Sequence, residues 1–306
     1  MRGVTLLLVW ASLSILACSS SDSGGGGGAS NGDGASTGAG AGTTSTSTST
    51  STGTSTSTSA SASASTGTSG GACGSPGPEY TSDDGSVTFY TFAMGSTAVN
   101  CSFPITGTDP DVVGHVATGD GQYFGALNTA DYANSATCGA CIEVTRDGTR
   151  KVVITVVDQC PTDSNPKCTP GHIDLSKNAF LQIGEEQEGY LGTGNGASVG
   201  AISWRYVACP TTADVTYTLK EPTNQYWNQI LVEDHAYAID KLEANVDGQW
   251  VSADRQSYNY WQVGDGSLGD APYQVRVTDV NGDVVTASLA LAAGDQASSA
   301  QFPVCQ

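Results

Sequence analysis

Basic residues are scarce in this chain of 306 residues: 11 Lys and Arg stand against 30 Asp and Glu, a net charge of −19. Phosphate backbones and acidic wall polymers repel such a protein, so we expect no nucleic-acid partner and favour a neutral polysaccharide. The three histidines are scattered. Cys138 and Cys141 have CxxC spacing, but no second CxxC or paired histidines accompany them, so we expect no metal and no other cofactor.

A long apolar run is also missing. The stretch Val4–Leu16 is shorter than a membrane-spanning helix and predicts a signal peptide. It is followed by Ala17-Cys18, and a small residue before such a cysteine is typical of a bacterial lipoprotein cleavage site. We predict a lipoprotein signal peptide over residues 1–17, lipidation of Cys18 and export to the cell surface, on the outer membrane where the cell has one. The alternative is an ordinary signal peptide, a chance cysteine and a secreted protein.

Residues 18–72 have almost none of the large apolar side chains that a core requires. Gly, Ser, Thr and Ala dominate there, which predicts a disordered tether that contacts a membrane only through the lipid anchor. The nine cysteines become eight once Cys18 is set aside. An even number of cysteines in an exported chain is typical of disulfide bonds.

The pattern of the remaining residues is mostly β. Runs typical of strands cover residues 87–92, 112–118, 141–145, 151–158 and 201–208, and then 215–219, 230–233, 241–246, 249–251, 273–279 and 284–291. One helix is expected, N-capped by Ser176 and ended by Gly184. The pattern restarts after Cys209-Pro210, so we predict a β-rich domain with one short helix over 73–210 and an all-β sandwich over 211–306.

Two carboxylates stand at the edges of these elements. Asp158 ends an apolar run, and Asp174 precedes the helix cap. A loop closed through Cys160 and Cys168 would bring both acids to one groove, where burial beside a second carboxylate lets one hold the proton that an acid catalyst of glycoside cleavage needs. The alternative is that Asp174 only caps the helix and Asp158 only anchors a loop. Spacing alone does not decide between them.

Residues 88–209 resemble the double-psi β-barrel domain shared by expansins and family-45 glycoside hydrolases. The resemblance rests on segments 85–90, 126–132, 138–144, 157–161 and 172–180. It continues into the second domain, which is similar to the family-63 carbohydrate-binding module of bacterial expansins. The implied fold is mostly β, a six-stranded double-psi β-barrel followed by an immunoglobulin-like β-sandwich.

The resemblance also implies roles in the groove. Asp174 matches the general acid of the hydrolases, Asp158 matches the second groove aspartate of expansins, and Thr88 matches a threonine beside Asp174. Tyr90 falls where bacterial expansins have a small hydroxyl residue, and we expect it to bind sugar there. Cys160 stands where some bacterial relatives have a groove tyrosine, so a disulfide is expected to replace that aromatic contact.

In the second domain the resemblance matches Tyr226, Trp227 and Tyr258 to a flat row of cellulose-binding aromatic residues, with Lys220 beside it. Aromatic rings stack on the apolar faces of sugar rings. Adjacent residues of a regular strand point to opposite faces, so Tyr226 and Trp227 can share a ligand only if the chain bends there. From the residues alone, we expect one of the pair to lie in the core, and the resemblance favours the surface row instead.

The disulfide pattern of plant-type expansins implies three bridges and leaves two further cysteines as the remaining pair. The expected pairs are Cys101 with Cys138, Cys141 with Cys209, Cys160 with Cys168, and Cys73 with Cys305.

The hydrolases need a second aspartate as base, yet residues 87–104 contain no Asp or Glu. Asp109 or Asp111 would have to replace it. We therefore predict non-hydrolytic loosening of plant-type cell wall by a monomer that binds and separates cellulose or mixed β-glucan chains. The alternatives are a weak β-glucan endoglucanase or a lytic enzyme, with xylan or peptidoglycan as further ligands, and a cellulose-binding surface adhesin that uses only the second domain. Whether the protein is an enzyme stays open.

Overall fold

A computed structural model describes residues 74–194 and 197–305. The expected signal peptide, tether, lipidated Cys18 and Cys73 lie outside these residues. Among the helices of the described part, none is long and apolar enough to cross a membrane.

Strands dominate the described chain. They are β1 (Tyr80–Tyr90), β2 (Ile105–Thr108), β3 (Asp111–Val113), β4 (Phe124–Asn128), β5 (Cys141–Arg146), β6 (Arg150–Cys160), β7 (His172–Ser176), β8 (Leu191–Gly194), β9 (Ala197–Val199), β10 (Ile202–Val207), β11 (Thr216–Leu219), β12 (Ile230–Glu233), β13 (Ile239–Val246), β14 (Gln249–Ser252), β15 (Asp254–Arg255), β16 (Trp261–Gln262), β17 (Tyr273–Asp279), β18 (Val284–Leu289) and β19 (Asp295–Ala297). The helices are α1 (Thr129–Tyr132) and α2 (Lys177–Ile183), with 3-10 turns at Thr118–Gly121, Ala133–Ser135 and Glu186–Glu188.

Six strands close into a barrel in the order β10-β5-β6-β4-β7-β1, because β1 pairs back onto β10. The pairs β1–β7 and β4–β6 are parallel, whereas the other barrel pairs are antiparallel. The hairpin β8–β9 extends the sheet from β1. Closure pairs the backbone of every barrel strand and leaves no exposed edge among them. The predicted six-stranded double-psi barrel is confirmed.

Local sequence explains the hairpin β5–β6 and the helix α2. Asp147 and Gly148 have φ of 51° and 65°, the left-handed conformation that a tight hairpin turn requires. Ser176 accepts a hydrogen bond from Ala179 N at 3.2 Å, so it caps α2 as predicted. Phe180 on the buried face of α2 packs into the barrel core.

The second β unit consists of two sheets that share one core. Strands β15-β16-β12-β11-β19 form one sheet and β14-β13-β17-β18 the other. Tyr217 and Ile230 from the first sheet, together with Val275 and Val277 from the second, are buried in a single cluster. Because each sheet buries one face against the other, the unit is a β-sandwich, as the alternating pattern predicted.

Three disulfides stabilise the barrel and the segment that follows its last strand, β10. They are Cys101–Cys138, Cys141–Cys209 and Cys160–Cys168. These are the three bridges that the family resemblance implies. The fourth pairing, Cys73 with Cys305, stays a prediction. Asn281 supports it, because its Oδ1 lies 2.5 Å from the backbone nitrogen of Gly74, the residue after Cys73, and 3.8 Å from Cys305 Sγ.

Hydrogen bonds join the barrel to the loop 256–260 of the sandwich. Ser102 Oγ donates to Tyr258 O at 2.6 Å, and Tyr132 Oη donates to the backbone carbonyl of residue 257 at 3.1 Å. Asn259 Nδ2 donates to Cys101 O at 3.3 Å. Several bonds between main-chain and side-chain groups therefore hold this loop against the barrel.

Candidate functional site

The three residues expected in the groove lie in one row across adjacent barrel strands. Thr88 on β1 pairs with Asp174 on β7, Asp174 pairs with Ala126 on β4, and Ala126 pairs with Asp158 on β6. Residues directly opposite each other on neighbouring strands project to the same face of a sheet. The closed barrel thus places Asp158 and Asp174 on either side of a small residue, Ala126.

A chain of hydrogen bonds leads from Asp174 into the barrel wall. Thr88 Oγ1 donates to Asp174 Oδ1 at 2.7 Å and lies 2.9 Å from His172 Nε2. On the other side of the ring, His172 Nδ1 lies 2.8 Å from Ser86 Oγ. The alternation of side chains along β1 and β7 puts these four residues on one face, because Ser86 pairs with His172 and Thr88 with Asp174.

Burial decides the direction of these hydrogen bonds. It lowers the pKa of His172 to about 4, with the charge of Lys167 acting in the same direction, so the ring is neutral near pH 7 and carries a single N–H. When Asp174 is ionised it can only accept, so Thr88 uses its proton there. His172 Nε2–H then donates to Thr88, and Nδ1 accepts from Ser86.

Both groove carboxyl groups are shifted in the same direction. Burial raises the pKa of Asp174, and the charge of Asp158 adds to this, whereas the hydrogen bond from Thr88 opposes it. Burial also raises the pKa of Asp158, although its Oδ1 accepts backbone hydrogen bonds from Gln159 at 2.8 Å and Asn100 at 3.1 Å. Each acid therefore keeps its proton to a higher pH than a free aspartate.

The floor of the groove contains Tyr90, Ala126 and the Cys160–Cys168 disulfide, which form one buried cluster. Cys160 Sγ lies 3.9 Å from Asp174 Oδ2, so the disulfide stands where the resemblance suggested a missing aromatic contact. Within the described residues, the buried hydroxyl of Tyr90 has no hydrogen-bond partner. Burial raises the pKa of Tyr90 well above its usual value, so the group stays a neutral hydroxyl.

Asp131 fixes the chain where β7 begins. Its Oδ2 accepts a hydrogen bond from Gly171 N at 2.8 Å, and its Oδ1 accepts from Tyr80 Oη at 3.2 Å. The carbonyl of Gly171 in turn accepts from Trp204 Nε1 at 3.0 Å. These bonds hold the residue before His172, and thereby set the position of Asp174 two residues further on.

The aromatic residues of the sandwich begin at a tight turn. The side-chain oxygen of Asn224 accepts hydrogen bonds from Tyr226 N at 2.9 Å and Trp227 N at 3.1 Å. The bend lets both neighbouring rings reach the surface, which a regular strand would forbid. Tyr226 is 75% exposed, and Trp227 is half-buried against Gly266.

Lys220 contacts Tyr258, the third aromatic residue of the row, and also Tyr260, an aromatic residue that the family resemblance did not match to the row. Its Nζ lies 4.1 Å from the ring centroid of Tyr258 and 5.0 Å from that of Tyr260. The two tyrosine rings have centroids 6.0 Å apart. A cation over two ring faces holds Tyr258 and Tyr260 in place relative to Lys220.

The groove and the aromatic residues are linked through three consecutive barrel residues. Asn100 N donates to the groove carboxylate Asp158, and Ser102 Oγ donates to Tyr258 O. Between them, the carbonyl of Cys101 accepts from the side chain of Asn259. Asp158 and the loop of Tyr258 are thus both hydrogen-bonded to the same short segment, residues 100–102.

Sequence reasoning missed Ser86, Ala126, His172 and Tyr260. A signal existed for His172 and Ser86, which stand two residues before Asp174 and Thr88 and so share a strand face with them. No pattern could identify Ala126, because its importance depends on the strand order of the barrel.

Comparisons with known proteins agree with this geometry. A family model for a double-psi β-barrel domain, described as "Lytic transglycolase", matches residues 116–193. Expansin-YoaJ of Bacillus subtilis is 33% identical over 164 residues, which span 52% of this chain and 63% of that protein. A solved structure of the Clavibacter michiganensis expansin superposes with a TM-score of 0.58 at 28% identity, over 72% of this chain and 98% of that one. A mutant of the same expansin in complex with cellohexaose gives a TM-score of 0.57, with the same identity and coverage.

The barrel, its acidic groove and the attached sandwich define the class of protein: a double-psi β-barrel protein with an accompanying β-sandwich. Within that class, the chain is similar to expansins of the bacterial type.

Proposed function

We propose that this protein binds cellulose or mixed β-glucan and loosens plant-type cell wall by separating neighbouring chains without hydrolysing them. The observation that carries the proposal is the row Thr88–Asp174–Ala126–Asp158, tied through residues 100–102 to the aromatic loop of the sandwich. The Clavibacter expansin that was solved with cellohexaose has the same overall fold, which supports a glucan as the ligand.

In this proposal the sandwich binds the polymer and the barrel separates its chains. The rings of Tyr226, Trp227 and Tyr258 stack on sugar faces and hold the polymer. The carboxyl groups of Asp158 and Asp174 form hydrogen bonds to the hydroxyls of one chain, whereas the buried hydroxyl of Tyr90 is not accessible to the ligand. Hydrogen bonds gained in the groove replace those between neighbouring glucan chains, so chains slide apart with no covalent bond broken.

Extension of cellulose paper under constant load tests the groove. Asp174→Ala should abolish extension while binding to insoluble cellulose is retained, because the aromatic residues are unchanged. Asp84→Ala is the matched control, since Asp84 is an exposed residue of the same barrel on β1. Full extension by Asp174→Ala would reject the proposed role of the groove and favour a binding-only adhesin.

Cellulose pull-down tests the aromatic residues. Trp227→Ala and Tyr226→Ala should each weaken binding by about fivefold or more, because each removes an apolar ring from contact with sugar. Trp250→Ala provides the control: Trp250 is 39% exposed but lies on β14, in the other sheet of the sandwich. Equal losses in all three variants would show that binding does not use this surface.

Weak hydrolysis is the second candidate, and Asp111 is the observation that favours it. Burial raises the pKa of Asp111, whose Oδ2 accepts a hydrogen bond from Phe92 N at 3.0 Å. The ring of Phe92 in turn packs against Tyr90 with centroids 5.8 Å apart. The charges that act on Asp174 are instead those of Asp158 and Lys167. Release of reducing ends from soluble β-glucan, lost in Asp111→Asn and Asp174→Asn, would establish hydrolysis; the same assay on peptidoglycan tests a lytic enzyme.

We further propose export with a lipid anchor at Cys18. The apolar stretch before Ala17-Cys18 supports this. Metabolic labelling with a radioactive fatty acid should mark the wild-type protein, and Cys18→Ser should remove the label. A labelled Cys18→Ser variant would exclude Cys18 as the anchor.

A further inference from the structure

Three metal-ligating side chains meet between the barrel and the sandwich. His115 follows β3, Glu233 ends β12 and Asp295 begins β19. The two acids come together because they flank β11, where Thr216 pairs with Glu233 and Thr218 with Asp295. His115 Nε2 lies 3.7 Å from Glu233 Oε1 and 3.6 Å from Asp295 Oδ2, and the three atoms all lie within 4.8 Å of one another.

These separations are too long for hydrogen bonds but suit ligands of a shared ion. Hydrogen bonds between N–H and O span about 2.7–3.2 Å. Imidazole nitrogen and carboxylate oxygen bind Zn²⁺ at about 2.0–2.2 Å, so two ligands of a tetrahedral ion lie about 3.4 Å apart. The observed 3.6 and 3.7 Å are within a few tenths of an ångström of that value.

The second polar atom of each ligand side chain lies within hydrogen-bond distance of another residue. His115 Nδ1 lies 2.8 Å from Asp234 Oδ2, so an Nδ1–H donates to that carboxylate and Nε2 is the nitrogen that can bind an ion once it has released its proton. Thr218 Oγ1 lies 2.8 Å from Glu233 Oε2 and 3.1 Å from Asp295 Oδ1. Histidine bonded to a carboxylate through its other nitrogen, and carboxylates held by a hydroxyl, are the arrangement that supports metal ligands in proteins.

Burial and charge indicate that a cation belongs there. The side chain of Glu233 is 2% exposed, and its contact with Thr218 at 2.8 Å is made by Oε2, whereas Oε1 faces His115 at 3.7 Å. Glu233, Asp234 and Asp295 bring three carboxyl groups together, and among the described residues only His115 forms ion pairs with them. A single imidazolium balances one of three carboxylates, whereas a divalent ion would balance two.

We propose that His115 Nε2, Glu233 Oε1 and Asp295 Oδ2 bind a divalent transition-metal ion, Zn²⁺ being the ion that these donors suit, and that the ion fastens the sandwich to the barrel. One nitrogen and two carboxylate oxygens match Zn²⁺ and leave room for water as a fourth ligand. Ca²⁺ takes six to eight oxygen ligands, so this set suits it poorly. Because one ligand comes from the barrel and two from the sandwich, the bound ion stabilises the contact between them. This inference is independent of the proposed glucan binding.

Calorimetric titration of the full chain, first stripped with a chelator, with Zn²⁺ tests the proposal. One Zn²⁺ should bind per chain, the thermal unfolding midpoint should rise, and a chelator should reverse both. Nitrogen-15 NMR should report a metal-bound Nε2 on His115. Failure to bind Zn²⁺ with that stoichiometry, or an Nε2 that stays protonated, would show that the cluster is only an ion-pair network and would overturn the proposal.

Four variants locate the bound ion. His115→Gln keeps a donor toward Asp234 but removes the ligand nitrogen, and Asp295→Asn changes an exposed ligand. Each should weaken Zn²⁺ binding by about 100-fold or more, beyond the 10–100-fold expected for Thr218→Val. Asp270→Asn, an exposed acid outside the cluster, should bind Zn²⁺ as the wild type does. Unchanged affinity in His115→Gln and Asp295→Asn would place the ion elsewhere and reject the site.

Discussion

Thr88→Val removes one hydroxyl from the middle of the Ser86–His172–Thr88–Asp174 chain and keeps the shape of the side chain. Thr88 is 7% exposed, and its Oγ1 lies 2.7 Å from Asp174 Oδ1 and 2.9 Å from His172 Nε2. The valine leaves a buried imidazole N–H without a partner, and an unsatisfied buried donor costs about 1–3 kcal/mol. We therefore expect the free energy of unfolding to fall by about that amount.

The loss should depend on pH through Asp174. Burial already raises the pKa of this carboxyl group, and the hydrogen bond from Thr88 restrains it, so Thr88→Val should raise the pKa further. A carboxyl group whose pKa is higher in the folded than in the unfolded state destabilises the folded state once it ionises. The difference in stability between variant and wild type should therefore be largest above the folded-state pKa of Asp174 and smaller in acid.

Urea unfolding at neutral and acid pH measures the stability, and carboxyl carbon-13 NMR follows the titration of Asp174. Thr145→Val on β5, outside the groove row, is the matched control for replacing a strand threonine. If Thr88→Val leaves both the stability and the pKa of Asp174 unchanged, the hydrogen-bond chain is not formed in solution and the reasoning fails.

Three further predictions follow from other contacts. Gly266→Ala should weaken cellulose binding, because the added Cβ would lie 2.8 Å from Trp227 Cδ1 and displace the ring. Glu188→Gln should reduce the loss of stability in acid, because Arg146 lowers the pKa of Glu188 to about 2, and its stabilising contribution is present above pH 4.5 and lost as the pH falls toward 2. Peptide mapping under non-reducing conditions should find Cys305 joined to its expected partner near the start of the described chain.

Each of these three predictions has a control variant or an outcome that would contradict it. Gly248 also has a left-handed φ, with open space where its Cβ would stand, so Gly248→Ala should carry the backbone cost without weakening binding. Glu186 is an exposed acid near Glu188, and Glu186→Gln should leave the acid transition unchanged; an equal effect in both variants would contradict the role of Arg146. Free thiols at both Cys73 and Cys305 would disprove the fourth disulfide.

Local chemistry explains which elements could be predicted. The cap of Ser176 and the turns at Asp147-Gly148 and Asp247-Gly248 depend on near neighbours, and both Asp-Gly turns have the left-handed φ angles expected. Residues 112–118 were expected as a strand, but β3 ends at Val113, where Gly114 N bonds back to Pro104 O. Strands β4 and β7 gave little signal because each has only five residues, and polar side chains interrupt the apolar positions of β7.

By itself, the sequence determined the acidic character, the mostly β architecture, the disulfide cysteines and, through resemblance, the identity of the groove acids. Composition and local pattern carry that information. Only the tertiary structure decided that Ala126 separates Asp158 from Asp174, since this requires the strand order of a closed barrel. It also brought His115 to Glu233, residues far apart in the chain whose meeting depends on how the sandwich packs against the barrel.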